Sequence, residues 1–301
     1  MWTSVMVVFI IYAVIFILFE DYDRKNNMPL GEPSDWHLLL FSLVVMAGLG
    51  WLLYYYARRM DRRISREQQA RQNQLRRELT QNIAHELKTP VASILGYTDT
   101  ILETPDMDEG IRRQFIARAN AQARRLTALL QDLSTLNRMD YAADMIQRER
   151  VDVGRIVADI VEETALSVQK HQMTVRNCLP SGIIIEGNPS LVYSIFRNLI
   201  DNAISYAGDG TTVTLTADER PDSWRFTLSD NGCGISPEHL GRLFERFYRI
   251  DKGRSRQLGG TGLGLAIVKN AVLFHGGTIS VDSFQGQGVK FSFTLARQCQ
   301  R

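Results

Sequence analysis

Two apolar runs open the chain. Residues 1–19 are apolar apart from the hydroxyls of Thr3, Ser4 and Tyr12, and residues 38–56 carry no charge. About 20 apolar residues of helix span a bilayer core, so the pattern predicts transmembrane helices over 1–19 and 36–56 with a short outer loop at 20–35. Trp36, Trp51 and the run Tyr54, Tyr55, Tyr56 suit the headgroup belt. Arg, Gln and Glu dominate residues 57–74, which reads as a helical linker. Helical spacing follows. Leu75, Leu79, Ile83, Val91, Ile94 and Ile101 mark one stripe, and Ile111, Phe115, Leu126, Leu129, Leu133 and Leu136 a second, with Thr104, Pro105 and Asp106 breaking the pattern between them. This predicts a helical hairpin over 75–140. Two helices bury little on their own, whereas two hairpins make a four-helix bundle, so the stripes predict a homodimer. From Val151 the period changes. Strands are expected at 173–178, 183–186, 212–217, 224–229, 278–282 and 289–295, and helices at 153–168, 189–206, 237–244 and 263–274. The resulting class is α+β and multidomain: after the membrane helices and the helical hairpin, residues 148–298 form an α/β sandwich with helices on one face of a mixed sheet.

Charge orients the membrane reading. Arg58, Arg59, Arg62, Arg63 and Arg66 follow the second run against Asp61, while the loop holds Glu20, Asp21, Asp23, Glu32 and Asp35 against Arg24 and Lys25. Positive residues stay inside, so the expected location is the cytoplasmic (inner) membrane, with two passes and both termini in the cytoplasm. The basic exit also suits contact with anionic membrane lipid. The first run lacks a basic start and an A-x-A-like site, which favours a retained anchor over a signal peptide. The loop is too short to fold as a ligand-binding domain. Net charge is +2, which offers no global field for nucleic acid. Cys178, Cys233 and Cys299 are scattered and odd in number, pointing to neither a disulfide framework nor a zinc site.

The candidate chemistry begins in the first stripe helix, at Asn82, Ile83, Ala84, His85, Glu86, Leu87, Lys88, Thr89, Pro90. A carboxylate beside His85 can accept a proton from one ring nitrogen and leave the other as a nucleophile. Thr89 lies one turn along on the same face. Pro90 cannot donate to the carbonyl of Glu86, which gives the helix a place to bend. Downstream, Asn198 and Asn202 share a helix face at i, i+4, and amide oxygens suit a hard cation already bound to phosphate. Asp230, Asn231, Gly232, Cys233, Gly234, Ile235 follow a strand, with glycines that let backbone come close to a ligand. Gly259, Gly260, Thr261, Gly262, Leu263, Gly264, Leu265 open a helix whose amides can hold phosphate oxygens. Phe244 and Phe247 precede a polar segment with Asp251, Lys252, Arg254, Ser255 and Arg256. No G-x-x-x-x-G-K-[ST] loop and no H-R-D or D-F-G set is present.

In this order and spacing the four stretches resemble the sensor histidine kinases of bacterial two-component systems, over residues 75–295. The last three boxes resemble the ATP fold shared by gyrase, the Hsp90 chaperones, MutL and those kinases. The resemblance implies that His85 receives the γ-phosphoryl group of ATP, that Glu86 acts as base, and that Thr89 places water for dephosphorylating the partner. It implies that Asp230 accepts from the adenine amino group, with Gly232 and Gly234 beside it and Tyr206 flanking the nucleotide. Asn198 and Asn202 would hold Mg2+ through ATP. Gly260, Thr261, Gly262, Leu263 and Gly264 would cradle phosphate, beneath a mobile lid carrying Phe244 and Phe247 and reaching the phosphates through Arg254 or Arg256. The implied partners are a second copy of the chain and a response regulator whose aspartate takes the phosphoryl group. Ser205 departs from the lysine often found in the asparagine box. Two other functions compete. An ATPase of the same fold would carry Glu where Asn198 stands, and an amide cannot act as a base. A non-catalytic scaffold is favoured only by Ser205.

Overall fold

The computed structural model describes residues 14, 17, 21, 35–142, 145–251 and 260–298. The chain divides into two compact units, Met1–Glu78 and Leu79–Arg301. Helix α1 runs Asp35–Glu103. In its first part Leu43, Met46, Leu49, Trp51, Leu53 and Tyr54 are all exposed. The helix expected over 1–19 lies outside the described residues apart from Val14 and Ile17. Among the described residues no helix is long and apolar enough to cross a membrane.

In the second unit α1 pairs with α2, Glu109–Tyr141. The expected break falls between them, where Met107 N–H donates to the Thr104 carbonyl at 3.2 Å. The Asp108 carboxylate then caps α2, accepting from the amides of Gly110 and Ile111, two donors the helix itself leaves unpaired. Pro90 lies inside α1 without ending it.

The rest of the unit is the expected sandwich. In chain order it comprises β1 (Glu149–Asp152), α3 (Val153–Lys170), β2 (Thr174–Cys178), β3 (Ile184–Gly187), α4 (Pro189–Tyr206), β4 (Thr212–Glu219), β5 (Ser223–Asp230), α5 (Pro237–Leu240), α6 (Gly264–Phe274), β6 (Ile279–Ser283) and β7 (Val289–Ala296). The main sheet has the order β2-β4-β5-β7-β6, and β1 pairs with β3 apart from it. Only the β2–β4 pairing is parallel among the described strands. Trp224, Phe226 and Leu228 of β5 are buried and alternate with more exposed residues, so one face of the sheet meets the helices. Phe196 of α4 packs edge-on to Phe226 and Phe293 at 5.3 and 5.5 Å between ring centroids. Ile195, Leu199 and Ile200 of α4, Val268 and Val272 of α6, and Val157 and Ile160 of α3 complete the core.

Two elements differ from the pattern. Strand β1 is not anticipated, because Glu-Arg-Val-Asp buries only Val151 and the strand pairs only with β3. Helix α5 stops at Leu240 rather than 244: Gly241 is its C-cap, and single turns follow, with Arg242 N–H on His239 O and Glu245 N–H on Arg242 O.

Candidate functional site

One end of the site is built where β5 runs out. Asp230 is its last residue, and Oδ1 accepts from Gly232 N–H at 2.9 Å and from Val289 N–H at 3.3 Å. Oδ2 has no hydrogen-bond partner among the described residues. Burial pushes the Asp230 carboxyl up from the ordinary carboxylate value, and the two amides oppose that shift. A half-buried acceptor with an open oxygen suits an amino donor. Gly234 has φ +70°, and a Cβ there would collide with the Phe284 carbonyl, so this loop needs glycine for both conformation and space. Beside it, Cys233 Sγ and the Tyr206 carbonyl are 3.2 Å apart, which brings the Tyr206 end of α4 next to the Asp230 loop.

The other end forms where α6 begins. Asn198 Nδ2 donates to the Ser194 carbonyl at 2.7 Å. This turns Oδ1 toward Gly264, where a Cβ would meet it. Asn202 is half-buried one turn further along α4. The two amides thus lie along one helix, the first directly against the glycine box, an arrangement that fits a cation carried by phosphate. Gly260 and Thr261 precede the box helix, and Leu263 is wholly buried. Phe244 packs on the core and meets Phe291 at 6.4 Å, whereas Phe247 packs against the hairpin. The two aromatics therefore hold different partners. Arg254, Arg256 and Gly259 lie outside the described residues.

His85 is exposed on α1, and Thr89 Oγ1 donates to its backbone carbonyl at 3.3 Å. The Glu86 carboxylate is engaged elsewhere. Oε2 accepts from Arg125 of α2 at 3.2 Å and from Arg249 at 3.0 Å, all three side chains being largely buried. Arg249 comes from beyond Phe247, so this pair joins the hairpin to the sandwich. Thr261 Oγ1 donates to Asp132 of α2 at 2.7 Å. Arg246 clasps both oxygens of Asp140 at 2.8 Å. Between these contacts Leu129 and Leu136 pack against Leu263 and Ile267, with Leu87, Leu133, Met139 and Phe247 around them. Arg125, Asp132, Asp140, Arg246 and Arg249 were not legible as site residues. Their partners lie far away in sequence, 163 residues in the case of Glu86 and Arg249, and no spacing rule links them.

Comparison with known proteins matches residues 75–142 to the His Kinase A (phospho-acceptor) domain. Residues 187–298 match the histidine kinase-, DNA gyrase B-, and HSP90-like ATPase family. A sensor-like histidine kinase, SenX3, of Mycolicibacterium smegmatis is 34% identical over 75% of this chain and 59% of its own length. A sensor protein kinase, WalK, of Staphylococcus aureus is 34% identical over 92% of this chain and 66% of its own length. The chain thus spans less than two thirds of each. Among solved structures, a histidine kinase, ThkA, in complex with the response regulator protein TrrA aligns with a TM-score of 0.58 and 18% identity, over 73% of this chain and 61% of that one; at that identity the likeness speaks for the fold.

Proposed function

This chain belongs to the two-component sensor histidine kinases, and we propose that it is a membrane-anchored, homodimeric member that phosphorylates itself on His85 from ATP and passes the phosphoryl group to an aspartate of a response regulator. The observation that carries this reading is the pairing of two parts within one compact unit. An exposed histidine stands on a helical hairpin, and the glycine box of an ATP-type sandwich is seated on that same hairpin.

The residues have separable tasks. The Asp230 carboxylate takes the adenine amino group through its open oxygen, and Gly232 and Gly234 keep the loop close to the ring. The amides of Gly260 to Gly264 and the start of α6 take phosphate oxygens. Asn202 and Asn198 would hold magnesium, which when bound with the nucleotide supplies charge neutralisation at the transferred phosphoryl group. His85 supplies a ring nitrogen as the nucleophile. Glu86 takes the proton from the other ring nitrogen once Arg125 and Arg249 release its carboxylate. Thr89 places water for the reverse task, removing the phosphoryl group from the regulator. A response-regulator partner is supported by membership in the two-component sensor kinases; ThkA, which shares the fold, was solved in complex with the response regulator protein TrrA. Membrane anchoring is supported by the charge-free run at 38–56 and its exposed apolar side chains, and by the arginines that follow.

The test is incubation of the full chain, purified in detergent, with γ-labelled ATP and magnesium. The expected result is protein-bound label that acid removes and base does not, absent from His85→Gln although that variant still binds ATP. Label persisting in His85→Gln would exclude the assignment.

A further inference from the structure

The hydroxyl of Thr261 stands in the middle of the glycine box and is committed on both sides. It accepts from Leu263 N–H at 3.2 Å and donates to Asp132 Oδ2 at 2.7 Å. Leu263 N–H is one of the amides a phosphate cradle would offer. Here it is spent on a relay that ends in a carboxylate of the hairpin. The neighbouring carbonyl, Gly262 O, accepts from Phe247 N–H at 2.8 Å, and Phe247 holds φ +63°, a left-handed conformation that costs a non-glycine residue energy. Leu263 and Ile267, on the far side of the box, are sealed against Leu129 and Leu136. The box is therefore tied to the hairpin through Thr261, Leu263 and Ile267, with the Asp132 carboxyl one hydroxyl away from where phosphates would lie.

We propose that Asp132 is a positioning residue that sets the affinity of this site for nucleoside triphosphate: by holding Thr261 it keeps the glycine box in its docked arrangement, and its charge disfavours the triphosphate there. This rests on the nucleotide reading of the box given above. A triphosphate must take the Leu263 amide from Thr261 and bring several negative charges toward Asp132. Docking on the hairpin and triphosphate binding thus weaken one another, and the coupling is reciprocal. The same docked arrangement places Arg249 on Glu86, so the state that disfavours ATP is also one in which the carboxylate beside His85 is already paired with arginine. Burial pushes the Asp132 carboxyl up and the Thr261 hydroxyl opposes it, the balance expected of a carboxylate held dry by one donor.

The experiment compares the full chain in detergent as wild type, Asp132→Asn and Asp140→Asn. ATP and ADP affinities are read by displacement of a fluorescent ATP analogue, and autophosphorylation rates are read across ATP concentration. Asn keeps the shape and the acceptor but removes the charge. Asp140→Asn loosens the Arg246 contact of the same interface without touching the box. For Asp132→Asn the expected result is ATP binding tighter by on the order of tenfold, with a smaller gain for the less charged ADP. The KM for ATP falls in step, and the rate at saturating ATP stays within about twofold of wild type. Unchanged ATP affinity in Asp132→Asn would overturn the proposal, and so would a fall in saturating rate with KM unmoved. An equal gain in Asp140→Asn would also overturn it, by assigning the effect to docking in general. Thermal unfolding of each variant checks that it is folded. If wild type binds ATP and labels itself but Asp132→Asn behaves identically, only this inference fails; if wild type binds no ATP, the nucleotide reading fails with it.

Discussion

His275 shows how a single side chain ties the site's two helices together. It ends α6, the helix opened by the glycine box, and its Nδ1–H donates to the Ala271 carbonyl at 2.7 Å. Its Nε2 accepts from the amide of Asn188, the N-cap of α4, at 3.1 Å. Both nitrogens are satisfied only by the neutral ring. Burial holds its pKa below the ordinary imidazole value; the bond to Ala271 opposes this, and the charge of Arg148 adds to it. Above about pH 6.5 neither the folded nor the unfolded ring carries the extra proton. As pH falls below that value the unfolded chain takes up a proton that the native ring resists, so stability is lost, at up to about 1.4 kcal/mol per pH unit. Urea unfolding at pH 7.5 and 5.5 should show this loss in wild type and a smaller one in His275→Gln. Equal losses would refute it. Thr89 makes a different prediction. Thr89→Ala should leave autophosphorylation near wild type but slow removal of phosphate from the phosphorylated regulator by on the order of tenfold or more; an unchanged removal rate would count against its role. His85, Asp230 and the glycines stand out in the sequence because each belongs to a motif of fixed local spacing. His275 does not, since its function depends on Asn188, 87 residues away.

At the scale of elements, the hairpin is unfinished as a single copy. Val91, Leu95 and Leu102 on α1 and Ile111, Ile116 and Leu130 on α2 stay exposed, Leu95 at 55% and Leu102 at 76%. Burying a large aliphatic side chain is worth roughly 1.5–3 kcal/mol, enough over several positions to favour pairing with a second hairpin. Sedimentation of the full chain in detergent should therefore give a dimer, and Leu95→Lys should shift it toward monomer. A dimer unaffected by that change would place the contact elsewhere. The helical stripes and most strands were readable from periodicity, because each buries one face: α4 runs Pro189–Tyr206 as its pattern requires. Strand β1 escaped because one buried valine in four residues gives no period. The shortened α5 escaped because Gly241 and the turns after it follow an apolar spacing that imitates helix.

At the scale of the whole molecule, the second unit joins the parts that the proposed chemistry needs. The apolar seam of Leu129, Leu136, Leu263 and Ile267 fixes the glycine box to the hairpin, and the pairs Thr261–Asp132, Arg246–Asp140 and Arg249–Glu86 surround it. Leu129 and Leu136 stand in the second helical stripe of the sequence, but their partners across the seam, and those of the three polar pairs, are not visible there. A seam between domains is made of ordinary leucines and charges whose partners are set by the tertiary fold, whereas a catalytic box is local. The seam also explains why Leu263 is wholly buried although it lies in a loop expected to face phosphate. Phosphorylation of His85 by ATP is read most directly by peptide mapping of the full chain after incubation with ATP and magnesium, digested at neutral pH to preserve phosphohistidine. One phosphoryl group is expected on the peptide that contains His85, and none there in His85→Gln. Phosphate released from ATP without any modified peptide, or a phosphoryl group on another residue, would contradict phosphorylation of His85.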